Sequence, residues 1–173
     1  MARPVCAWWY GPKTLPHGDA RRVAVGRTHK VAGKIELCRN GLHGSVQPLD
    51  ALPYGSGEFW RTKHGGTVVH GDDKLCSSER TYTRLVPNTD AVLCRFARLC
   101  ALDVIHLWDA SDVVVRYLRT GDESLRSAAC WSAREAASSA ASSAAYSAAD
   151  SAARERQSRR LHRMLMEASR GVA

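Results

Sequence analysis

A chain of 173 residues with 45% hydrophobic content can bury one ordinary core or two small ones, so a globular rather than a disordered protein is expected. Its net charge of +8 favours polyanions or acidic protein surfaces as partners, and its six cysteines include no CxxC pair, so free thiols and no structural zinc are expected. The stretch from Met1 to Lys13 has no continuous apolar run, and Ala91 to Trp108 is interrupted by Arg95, Arg98, Asp103 and His106, so no export or membrane segment is expected.

The charge is uneven. Residues 1–86 hold 13 Lys or Arg against 7 Asp or Glu, and residues 87–173 hold 12 against 10. All six prolines and eleven of the thirteen glycines lie at or before Pro87, whereas the long helical signal lies after it. The sequence therefore divides into a β-rich domain, 1–87, and a helical domain, 88–173, and the expected class is α+β.

In the first half, Trp8, Trp9 and Tyr10 are expected to plug the edge of a core rather than to stack on bases. The runs Arg22 to Val25, Thr28 to Val31, Ile35 to Cys38, Thr67 to His70 and Thr81 to Val86 carry β-branched residues between glycine turns and read as a meander of strands. Gly71-Asp72-Asp73 is turn chemistry between strand-forming residues, so a hairpin is predicted there. Between the strand groups, Val46 to Tyr54 reads as one short helix with Ser45 as cap, Pro48 in its first turn and Pro53-Tyr54-Gly55 as its stop.

After Pro87 the apolar period becomes helical. Leu93, Phe96, Ala97, Cys100, Val104, Leu107 and Trp108 share one side of a wheel, with Thr89 or Asp90 as cap. A second helix is predicted over Asp112 to Leu118, and Thr120-Gly121-Asp122 turns into a stretch, Ser124 to Ala153, in which 22 of 30 residues are Ala or Ser. An unbroken helix from Asp122 to Ser169 would be about 70 Å long, so a break or a protrusion is expected. Its small side chains suit packing within the chain or a homo-oligomer through a second copy.

The candidate binding residues lie at the end of this signal. Arg156, Arg159, Arg160 and Arg163, with Arg154 just before them, form a cationic stripe, and Leu161, Met164, Leu165 and Ala168 lie on the opposite face. Arginine forks suit phosphate or carboxylate oxygens, while a solvated face paired with neighbouring acids would have the same pattern. For metals, Cys38, His43, His64, His70, Asp72 and Asp73 all fall in the first half, but only Cys38 and His43 have tolerable ligand spacing, so no metal is expected.

One segment carries resemblances. Gly41-Leu42-His43-Gly44-Ser45, followed by Pro48, Ala51-Leu52 and Tyr54 and then by His70-Gly71-Asp72-Asp73-Lys74, resembles an uncharacterised family of phage and actinobacterial proteins with a GLHxSxxPxxALxY core and a GDK hairpin. The alanine-rich tail resembles immunity-type domains of bacterial toxin systems. The same core is similar to one segment of ADP-ribosyltransferases, although Leu52-Pro53 stands where that family has a serine. That similarity implies NAD as cofactor, Tyr54 stacking on nicotinamide, Ser45 shaping the pocket and Glu79 orienting a ribose hydroxyl. On the residues alone, His43 bonds its own loop, Tyr54 anchors a helix end and Glu79 pairs with Arg80 or Arg84.

The leading expectation is a non-enzymatic binding protein, phage-encoded by resemblance. It would act in the host cytoplasm in counter-defence or regulation, engaging nucleic acid or an acidic host protein through its basic surface. The alternative is an ADP-ribosyltransferase-like enzyme, or a degenerate relative, using NAD.

Overall fold

The computed structural model describes residues 3–16, 20–139 and 148–170, with side chains described for all of these except 134–139 and 148–151. The fold is α+β, an antiparallel sheet with helices. The chain forms two compact units, Met1–Val92 with Ser158–Ala173, and Leu93–Gln157.

The first unit is organised by two long strands, β4 (Glu58–His70) and β5 (Leu75–Leu85), joined by the Gly71-Asp72-Asp73 turn predicted from sequence. The Gly71 N–H donates to the Lys74 carbonyl at 2.8 Å and closes this hairpin. Its register shifts twice, between Arg61 and Thr62 and between Gly65 and Val68. Such irregularities bend a ladder and increase its twist, and at the second one Gly66 takes φ +67°, a conformation that favours glycine. Three further strands complete the sheet: β1 (Val5–Gly11), β2 (Thr28–Lys30) and β3 (Leu42–Gly44). The order is β1-β4-β5-β2, with β3 also on β5, so only the β4–β5 pair joins sequence neighbours and the sheet is not a meander.

The sheet closes on itself. Trp8 and Ser45 exchange backbone hydrogen bonds, Trp8 N–H to Ser45 O at 2.8 Å and Ser45 N–H to Trp8 O at 2.9 Å. Because Trp8 lies opposite Arg61 on β4 and Leu42–Gly44 lie opposite Ser77–Leu75 on β5, this bridge links the second edge of β1 to the end of β3. β1, β4, β5 and β3 thus form a small barrel.

Several expected elements took other forms. Of the five runs read as strands, Arg22 to Val25 supplies only a bridge from Arg22 to Thr14, and Ile35 to Cys38 a turn bridged from Glu36 to Asn40. Both runs have strand-like residues, but neither finds a neighbouring edge over its length. Conversely, β1 and β3 are strands because β4 and β5 offer edges to them. Ser45 does not cap the short helix; it is spent on the barrel bridge, and α1 (Pro48–Ala51) starts after Gln47, followed by a 3-10 turn, Leu52–Tyr54. Thr89 is likewise used elsewhere, its hydroxyl accepting from Phe59 N–H and donating to Val86 O, both at 3.0 Å.

Strand alternation separates two faces. Inside lies a cluster of Leu15, Val23, Leu42, Trp60 and Tyr82, against which Trp9, Val31 and Leu85 pack. Beyond it is a polar group of fully buried Thr62, His64 and Ser77. Ser77 Oγ donates to Glu79 O at 2.7 Å, and therefore takes the His64 Nδ1 proton across 2.8 Å. Gly44 is small by necessity there, since a Cβ on it would lie 2.7 Å from His64 Nε2. On the outer face Trp8 meets Phe59 edge-on at 6.1 Å, and Arg61 covers its ring at 4.9 Å.

The C-terminal part of α5 (Ala148–Arg170) completes this face. Leu161 and Leu165 are fully buried, the Trp8 indole N–H donates to His162 Nδ1 at 3.3 Å, and Ser158 Oγ donates to Gln47 Oε1 at 3.0 Å. Residues from Ser158 onward therefore belong with the sheet unit, whereas the composition shift at Pro87 assigns them to the helical half. The reason is long-range packing on Trp8 and Gln47, which composition does not record.

In the second unit, most of α2 (Thr89–Asp103) leads through a 3-10 turn, Ile105–Leu107, to α3 (Asp112–Thr120) and α4 (Arg126–Ser139). Among the described residues, Phe96, Val114 and Ala129 are its buried apolar ones, and Ser111 and Ser132 hydroxyls lie 2.7 Å apart. The predicted Gly121 turn closes α3, Gly121 N–H donating to Tyr117 O at 2.8 Å, and Asp122 caps the next turn through Ser124 N–H at 2.9 Å. The expected break or protrusion of the alanine-rich helix, and a self-association through it, fall largely on residues outside the described ones, 140–147 and the side chains flanking them.

Two consequences can be measured by denaturant unfolding. Leu165→Ala should cost about 2–5 kcal/mol, as for a buried leucine, while exposed Arg163→Ala on the same helix should stay within about 0.5 kcal/mol; equal effects would mean that the segment does not pack on the sheet. Burial, with Arg80 and His43 nearby, lowers the His64 pKa to about 3. The unfolded chain then binds the extra proton between about pH 6.5 and 3, so stability should rise with pH across that window and fall on acidification, on the order of 3 kcal/mol from this group between pH 7 and 4. His64→Gln should flatten the dependence by about one proton; an unchanged slope would refute the assignment.

Candidate functional site

A cavity of about 590 Å³ opens in the barrel unit between β1, β3, the 38–41 turn and the α1 end. Its walls are built by elements remote in sequence. β1 contributes Trp8, Trp9 and Tyr10, the 3-10 turn contributes Tyr54, and β3 contributes His43. Four cations also line it, Arg21, Arg39, Lys74 and Arg80, and none of the described lining residues is an Asp or a Glu.

Arg80 is the central residue. Strand alternation points it inward with Tyr82, and it is only 2% exposed. Its guanidinium lies 4.3 Å from the Trp9 ring centre and 5.0 Å from that of Tyr82. Nε and Nη2 both donate to the Tyr82 hydroxyl, at 3.0 and 2.6 Å, and Nη1 donates to His43 O at 2.5 Å. Both partners are neutral, and among the described residues Arg80 has no carboxylate partner. Burial lowers its pKa, while the Tyr82 hydroxyl acts in the opposite sense.

The orientation of Tyr82 is itself determined. His29 Nε2 lies 3.2 Å from the Arg22 carbonyl, which only accepts, so that nitrogen carries the proton of the neutral ring. Nδ1 is then the acceptor for the Tyr82 hydroxyl at 3.2 Å, whose lone pairs face Arg80. Burial and the Arg21 charge lower the His29 pKa, in keeping with a neutral ring. Burial, Lys74 and Arg80 do the same for His43.

The rim differs from the wall. Tyr54 is 52% exposed, Lys74 Nζ sits 4.2 Å over its ring, and its hydroxyl donates to Asp73 Oδ2. The Asp73 hydrogen bond raises the Tyr54 pKa, and contacts with Cys38 and Tyr54 raise that of Lys74. The ring therefore stays protonated and the amine charged at neutral pH.

The three residues of the ADP-ribosyltransferase similarity are not gathered. Ser45 and Tyr54 line the cavity, but Glu79 does not; it pairs with Lys30 Nζ at 2.7 Å, rather than with Arg80 or Arg84. Alternation along β5 turns Glu79 away from the side that carries Arg80. His43 holds its own turn, with Cys38 N–H donating to its Nε2 at 3.1 Å. His64 is sealed inside the barrel, and among the described residues no group of three His, Cys, Asp or Glu is arranged around a metal position. None of the six cysteines forms a disulfide.

The arginine stripe lies elsewhere. Arg154, Arg156, Arg159 and Arg163 are exposed on α5 and Arg160 is half-buried, with Ser158, Leu161, Leu165 and Ser169 on the buried side. Arg154 and Arg156 fall in the second unit and the other three in the first; none lines the cavity. Sequence reading missed Arg80, Arg21, Lys74 and Trp9 as a group. The available signal was Arg80 two residues before Tyr82 on a strand, which places both on one face without saying which face is inside.

No protein-family model matches the chain, and no curated protein and no solved structure matches it.

Proposed function

We propose that this protein is a non-enzymatic binder of single-stranded nucleic acid, with the barrel cavity and its rim as the contact. One observation carries the reading: four cations and two rings, Trp9 on the inner wall and Tyr54 at the rim, line a cavity with no described acid among its walls. Cations meet phosphates, and rings stack on unpaired bases of any sequence. An acidic protein partner would use the cations but leave the rings idle, so the nucleic acid is favoured. Duplex fits less well, because its bases are already stacked. A role in host counter-defence or regulation draws its support from the resemblance to phage and actinobacterial proteins. Against the transferase alternative stands the position of Glu79, paired with Lys30 outside the cavity.

Tryptophan fluorescence titrations test this. Single strands should bind more tightly than duplex, with log affinity falling against log salt by about 0.7 per phosphate neutralised. Replacing Arg39 and Lys74 by Ala should weaken all sequences alike and flatten that slope by about 1.4. Replacing Arg156 and Arg163 should leave both unchanged; if that pair carries the loss instead, the α5 stripe is the contact and the cavity is not. Absence of single-strand binding at low salt would overturn the reading, as would NAD cleavage or transfer that is lost in Tyr54→Ala.

A further inference from the structure

If the cavity takes a strand, as the nucleic-acid reading requires, the buried position of Arg80 restricts which part of that strand can reach it. An arginine has five N–H donors, and Arg80 uses three of them on Tyr82 and His43, which leaves one N–H on each terminal nitrogen. A buried charge is costly unless it is paired, and stacking on Trp9 and Tyr82 offsets only part of that cost. The missing component is an anion, and the wall that offers Arg80 also offers Arg21 and Lys74.

We propose that Arg80 makes the cavity a phosphomonoester site, which receives the terminal phosphate of a strand; the strand itself rests on the nucleic-acid reading. Two arguments separate a terminal from an internal phosphate. At about 590 Å³ the cavity has the size of a pocket for one small molecule, so a strand running through in both directions does not fit while a chain end does. A monoester also carries about −1.5 to −2 charge at neutral pH, against −1 for a diester, which matches a wall of several cations without described acids. Two phosphate oxygens can take the two remaining Arg80 N–H groups, the forked contact that arginine makes and lysine does not. The adjoining nucleoside then lies toward Trp9 and Tyr54. A free nucleoside monophosphate presents the same chemistry.

The test compares oligonucleotides identical except for a 5′-phosphate, a 3′-phosphate or hydroxyls at both ends, together with a nucleoside 5′-monophosphate and its nucleoside. A phosphorylated end should bind at least about tenfold more tightly than the hydroxyl form, the scale of a charge-assisted hydrogen bond. Arg80→Gln should abolish that advantage and Arg80→Lys should keep only part of it; should either variant fail to fold, the comparison on the unaltered protein still decides. Equal binding of all three strands overturns the monoester site and leaves strand binding standing. A monophosphate that binds as tightly as the phosphorylated strand supports the site and assigns it to the free nucleotide. Monophosphate binding without any strand binding keeps the site but removes the nucleic-acid reading, and no binding of any probe overturns both.

Discussion

The backbone exchange between Trp8 and Ser45 is the constraint on which the sheet unit depends. Without it, β1 and β3 would be two free edges of an open sheet; with it, every inward residue of β1, β4, β5 and β3 faces the same enclosed space. The exchange also decides the fate of three consecutive aromatics. Trp8, turned outward, becomes the platform for His162 and Arg61, while Trp9, turned inward, stacks on Arg80. One residue of slip would reverse both assignments. The small side of the barrel follows from the same closure, since Gly44 leaves room for His64 where any side chain would collide with it.

Inside the barrel, two solutions to polar burial stand side by side. His64 is neutral, with Nδ1 satisfied by Ser77, and so contributes no charge to be compensated. Arg80 has no such option, because a guanidinium does not give up its proton within the range a protein tolerates. It is held instead by a relay in which Arg22 O sets His29, His29 sets Tyr82 and Tyr82 takes two of its N–H groups. The relay positions the charge without neutralising it. That is the physical difference between a cation serving the fold and a cation available to a ligand.

The helical segments serve the two units differently. The end of α5 behaves as part of the sheet unit, covering its outer aromatic face with Leu161, Leu165 and His162. The second unit has a modest core, Phe96, Val114 and Ala129 being its buried apolar residues among those described, as expected where alanine and serine replace larger side chains. Among the described residues, no helix is long and apolar enough to cross a membrane.

Local chemistry alone determined the α+β class, the Gly71-Asp72-Asp73 hairpin, the helix over Asp112 to Leu118, the Gly121 turn and the two faces of the Arg156–Arg163 stretch. Each of these depends on neighbours within a few residues: turn propensity, a 3.6-residue period or a left-handed glycine. The strands β1 and β3 depended on partners about 31 to 59 residues away, so their own composition did not mark them. Ser45 and Tyr54 were legible as members of a motif, but their shared cavity was not, and Glu79 looked like a third member only because chain proximity says nothing about which face of β5 it occupies. Arg80 beside Glu79 reads in sequence as half of an ion pair. The tertiary structure separated them, sending Glu79 out to Lys30 and Arg80 in to Trp9 and Tyr82, because adjacent residues on a strand point to opposite faces and barrel closure decides which face is the interior.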